Sequence, residues 1–137
     1  MYIFLPILAI VALTFFAIFR MAAGRAAAVK GGQDPDYYRA HLGDPEPEAT
    51  VAAVRHYGNL MELPIVFYTG CIAAYALQAV GGWTLAFAWG YVAARLAQSA
   101  IHLSYNNPAH RGLAFMVGVA FQIALWINLT LSILARL

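Results

Sequence analysis

The stretch Arg55-His56-Tyr57-Gly58-Asn59-Leu60-Met61-Glu62-Leu63-Pro64 decides how this chain is read. It carries an arginine, an asparagine and a glutamate, and it runs without a break into the apolar Ile65-Val66-Phe67. In a helix, Arg55, Asn59 and Glu62 fall at i, i+4 and i+7 and line one face. A glutamate entering a hydrocarbon-length helix needs a partner or a purpose.

The surrounding composition makes that helix a membrane helix. Of 137 residues, 63% are hydrophobic and 10% charged, whereas a soluble domain carries about 25% charged residues. That leaves too little polar surface to coat a water-soluble globule, which excludes a soluble enzyme. A net charge of +2 from scattered basic residues gives no footprint for nucleic acid. The single cysteine, Cys71, lies in an apolar run and supports neither an internal disulfide nor a thiolate metal site.

Four spans are expected, at about 2–22, 48–79, 83–105 and 108–135, in one membrane domain covering 1–137. Tyr2 to Phe19 is uncharged and has no basic residue before it, so it reads as a retained helix rather than a cleaved signal peptide. Arg20 to Thr50 is a solvated loop with mixed charges, Gly31-Gly32 and three prolines, with room for a helical extension through its alanines. Its end, Asp44-Pro45-Glu46-Pro47-Glu48, has the proline and acidic residues of a helix start. Pro64 should kink the second helix just after Glu62, and Gly81-Gly82 should form a tight turn to the third. In that third helix Arg95, Gln98, Ser99 and His102 form a second polar row. Asn106-Asn107-Pro108 supplies a turn and an N-cap, and Gly112 to Ala135 is an uncharged last span. The fold class is an all-α, up-down four-helix bundle in the membrane. Arg20, Arg25, Lys30, Arg39 and Arg111 bias the first and third loops to the cytoplasm, so both polar rows approach that side. Short loops and the lack of a targeting signal suit a bacterial inner membrane.

Glu62 has two candidate partners, Arg55 on its own helix and Arg95 on the next. The rows read either as a polar cleft open toward the cytoplasmic interface or as a buried ion pair that fixes helix packing. Arg111 sits in a first helical turn, where the dipole disfavours a cation. It is either half of an anion site shared with free backbone N–H groups or a snorkelling arginine that reaches lipid phosphate. His102 is either an acid–base group or a hydrogen-bonding core residue. His41, His56 and the His110-Arg111 pair show no ligand geometry, and no metal site is expected.

The pattern Arg55-x3-Asn59-x2-Glu62-x-Pro64, with Arg95 in the next helix and Arg111 after the following turn, resembles the MAPEG superfamily, the membrane-associated proteins of eicosanoid and glutathione metabolism. The resemblance covers essentially the whole chain. It implies a homotrimer holding glutathione between protomers, membrane lipids around it, and a lipophilic small-molecule substrate. Arg55, Asn59, Glu62, Arg95, His102 and Tyr105 would be cofactor-binding positions, and Arg111 the catalytic arginine that stabilises the thiolate. Two positions depart from members similar to prostaglandin E synthase: Gly58 stands in place of an arginine and His102 in place of a tyrosine, for which Tyr105 is the candidate substitute. The function expected is that of a glutathione transferase or peroxidase. The alternative is a non-catalytic membrane scaffold, or a protein that binds a small anion or lipid.

Overall fold

A computed structural model describes residues 1–137. The chain is helical throughout: α1 (Phe4–Lys30), the short α2 (Tyr37–Ala40), α3 (Glu48–Glu62), α4 (Pro64–Ala76), α5 (Gly82–Leu103) and α6 (Pro108–Leu134). α1 packs on α3 and α5, α4 bridges to α6, and α5 packs along α6, while the α1 and α6 backbones do not approach closely.

Two helices, α1 and α6, are long and apolar enough to cross a membrane by length and composition alone, against the four spans expected. The other two expected spans fall short for separate reasons. The second is divided: Pro64 has no N–H to return to the Leu60 carbonyl. Leu63 nevertheless keeps helical backbone angles, φ −68° and ψ −34°, so α4 continues the path of α3. The third, α5, is diluted by Arg95, Gln98, Ser99 and His102. Large side chains on α1 and α6, among them Phe15, Phe19, Leu113, Ile127 and Leu131, point outward. In hydrocarbon this costs nothing, because lipid tails are as apolar as leucine and helices associate by close packing instead.

That close packing centres on Phe67, which stacks on Tyr91 at 4.4 Å between centroids, with Ile10, Cys71, Ala88 and Leu125 around them. Gly90 lets α5 and α6 approach: a Cβ there would lie 2.5 Å from the Phe121 ring. Arg136 donates to the Leu77 and Gln78 carbonyls, tying the end of α6 to the end of α4.

The Gly81-Gly82 turn differs from expectation. Gly82 is already helical, Gly81 is extended (φ −115°, ψ −176°), and the left-handed residue is Gln78 at φ 51°. Thr84 organises the turn: its hydroxyl accepts from the Gly81 amide at 3.2 Å and donates to the Asn128 side-chain oxygen at 3.0 Å. At the opposite end, the loop between α1 and α3 is strapped down by Arg25, which lies 3.5 Å from Glu46 and over the Tyr38 ring at 5.2 Å. Desolvation, and after it the Glu46 carboxylate, pushes the Tyr38 phenol above its ordinary value.

Candidate functional site

The two polar rows have opposite fates. On α3, Thr50, Ala53, His56 and Leu60 form the buried side. That places Arg55 and Glu62 on the exposed side, with Asn59 half-buried between them. On α5, the whole row of Arg95, Gln98, Ser99 and His102 is buried.

Arg95 is the pivot. Its side chain is 1% exposed, and burying a cation is costly without compensating hydrogen bonds. Nη1 donates to Gln98 Oε1 at 2.6 Å and Nη2 donates to the Asn59 carbonyl at 2.8 Å. The Phe115 ring lies 5.8 Å from the guanidinium carbon. The expected Glu62–Arg95 and Glu62–Arg55 pairs are absent: the chain has two ion pairs, Arg25–Glu46 and Arg39–Asp36. The reason is angular. Glu62 projects from the outward side of α3, whereas Arg95 meets the inward side at a backbone carbonyl. Asn59 therefore contributes through its main chain.

About two turns along α5 from Arg95, His102 meets His56 edge to face, with ring centroids 5.3 Å apart. Each ring is 2% exposed, and all four ring nitrogens lack a hydrogen-bond partner. Orphaned polar groups of this kind cost about 1–3 kcal/mol each. Arg55 and Arg111 lie close enough to act on His102 electrostatically, and Arg95 on His56.

His102 also lines a cavity of about 440 Å³, walled by Arg20 of α1, Glu48 of α3, and Ser104, Tyr105 and Asn106 after α5. The Tyr105 hydroxyl hydrogen-bonds His110 Nδ1 at 3.1 Å, so it faces the α6 start rather than the histidines. Arg111 donates from Nη1 to Asn106 Oδ1 at 2.7 Å. Asn107 caps α6, accepting from the Ala109 and His110 amides at 2.9 and 3.2 Å. A guanidinium held at one nitrogen keeps its other donors available beside a helix N-terminus, which suits an anion. No group of three or more histidine, cysteine, aspartate or glutamate side chains is arranged to hold a metal ion.

Of the residues expected to form a site, Arg95 meets the Asn59 carbonyl, His102 packs on His56 and lines the cavity with Tyr105, and Arg111 holds Asn106 on the cavity wall, whereas Arg55 faces outward. Glu62 stands apart, on the exposed side of α3. His56 is the residue that sequence reasoning passed over. Its signal was present: it shares a helical face with Ala53 and Leu60, the face without charges.

The MAPEG family model matches residues 3–131. No curated protein and no solved structure matches the chain.

Proposed function

This chain belongs to the MAPEG family, and from that premise we propose that it is a glutathione-dependent membrane enzyme, a transferase or peroxidase acting on lipophilic substrates. The observation that carries the reading is the buried His56–His102 pair with unpartnered ring nitrogens, beside a polar cavity whose wall residue Asn106 is held by Arg111. Glutathione brings carboxylates and an ionisable thiol, and these are the groups such a site favours. Arg111, with donors to spare, stabilises the thiolate and so makes the sulfur a nucleophile at neutral pH. In this reading His102, which lines the cavity, takes the thiol proton.

In this reading α3 and α4 act as one kinked rod, and the chain is a four-helix bundle that spans the membrane four times. The outward Arg55 and Glu62 need a polar neighbour within the membrane. A homotrimer supplies one, with glutathione between protomers and substrate entering from the lipid. Basic residues at the C-terminal end of α1 and the start of α6 support a cytoplasmic site, in this reading in a bacterial inner membrane.

The second reading is a non-catalytic scaffold that binds a small anion or a lipid. It is favoured by Gly58, which has no side chain to grip the cofactor, and by Glu62, which makes no ion pair. Titration of glutathione into the detergent-solubilised protein separates the two. Saturable binding with thiolate ultraviolet absorbance, lost in Arg111→Ala, supports the enzyme. Failure to saturate up to millimolar glutathione leaves the scaffold.

A further inference from the structure

Spacing along the chain gives His56 no co-ligand, but the packing of α3 on α5 supplies one in His102. The two rings stand 5.3 Å apart between centroids with 65° between their planes. Both residues are 2% exposed, and no nitrogen of either ring has a hydrogen-bond partner. Two carbon rings would hold the helices together without the cost of orphaned polar atoms. Neutral imidazole is the commonest metal ligand, and each ring offers one lone pair.

The spacing suits a shared ion. Two imidazoles that meet one metal through bonds of about 2.0 Å, at an angle of roughly 110–120°, have centroids about 5.2–5.5 Å apart. A collinear pair with the same bonds would need about 6.3 Å. The observed 5.3 Å fits the bent arrangement, which leaves a further position on the ion. Rotation about χ2, a soft torsion in histidine, turns one nitrogen of each ring to a common point. The cavity of about 440 Å³ that His102 lines gives the ion its entry and the further position its small ligand.

Charge decides which ion. No third histidine, cysteine, aspartate or glutamate joins the pair, so both protein donors are neutral. Arg95 acts on His56, and Arg111 and Arg55 act on His102; their repulsion doubles for a divalent ion. Among the metals suited to imidazole, copper in its reduced state is the monovalent one. We propose that His56 and His102 form a binding site for a single Cu(I) ion. Its uptake needs no glutathione. Where the enzyme reading holds, the ion occupies the His102 nitrogen that accepts the thiol proton, and copper acts as an inhibitor.

The test measures Cu(I) uptake by the full-length protein in detergent under ascorbate, in competition with the chromophoric chelator bicinchoninate and without glutathione. One ion per chain is expected, and X-ray absorption should show nitrogen neighbours at about 2.0 Å. His56→Phe and His102→Phe each keep a flat ring in place. Each should weaken uptake at least roughly a hundredfold, the most that losing even an outer-shell partner costs. Cys71→Ala, which removes the one thiol, should leave uptake unchanged. Uptake no stronger in the wild type than in His56→Phe would overturn the proposal and leave the pair to buried water. Loss of uptake in Cys71→Ala, or tighter retention of Zn²⁺ than of Cu(I) by the wild type, would overturn it too. Glutathione titration of the same samples is a separate readout, so either reading can fail alone.

Discussion

The α3 row of Arg55, Asn59 and Glu62 and the α5 row of Arg95, Gln98, Ser99 and His102 have the same helical spacing and the same kind of residues, yet one faces out and the other in. The inward row is organised by hydrogen bonds within the chain, from Arg95 to Gln98 and to the Asn59 carbonyl. The outward row has no side-chain hydrogen bond or ion pair inside the protomer. Polar residues in a membrane helix thus mark two different jobs: holding one protomer together, or presenting groups to something outside it.

That contrast breaks most sharply at Arg95. Arg95→Ala strips the Asn59 carbonyl and Gln98 of a charged donor and should lower stability by about 3 kcal/mol, the scale of losing hydrogen bonds to a buried charge. Thermal unfolding in detergent reads this, and a loss no larger than that of a surface substitution would place Arg95 outside the core.

A change of opposite sign is expected across the interface between the rows. His56→Phe keeps a flat ring against His102 and removes two orphaned nitrogens, so stability should hold or rise by about 1 kcal/mol. Glutathione binding should weaken in the same variant. A clear destabilisation would instead reveal a hydrogen-bonded role for His56 in the assembled protein.

The smallest effect belongs to the outward row. Glu62→Gln should leave protomer stability within about 0.5 kcal/mol, as for an exposed unpaired group, while shifting the oligomer toward lower mass in size-exclusion with light scattering. Lost stability at unchanged mass would mean that Glu62 has its partner within the protomer after all.

Much of this was legible residue by residue. Asn107 caps α6 and Pro108 opens it because an asparagine side chain satisfies free amides and proline needs none. Pro64 divides α3 from α4 for the matching reason, a missing donor. The turn before α5 was less legible: paired glycines suggested a glycine turn, but the hydroxyl of Thr84, three residues past Gly81, organises it. The Glu62–Arg95 pairing failed because opposite charges at suitable depths carry no information about which way each helix is rotated.

By itself the sequence determined that this is an all-helical membrane protein of the MAPEG family, where its helices begin and break, and which residues share a helical face. Tertiary structure alone decided which polar face turns inward and that His56 meets His102. The physical reason is the solvent. In water an apolar face must turn to the core, so periodicity also gives direction. In hydrocarbon the outside is as apolar as the inside, and only the detailed fit of neighbours such as Gly90 and Phe121 sets the rotation of each helix.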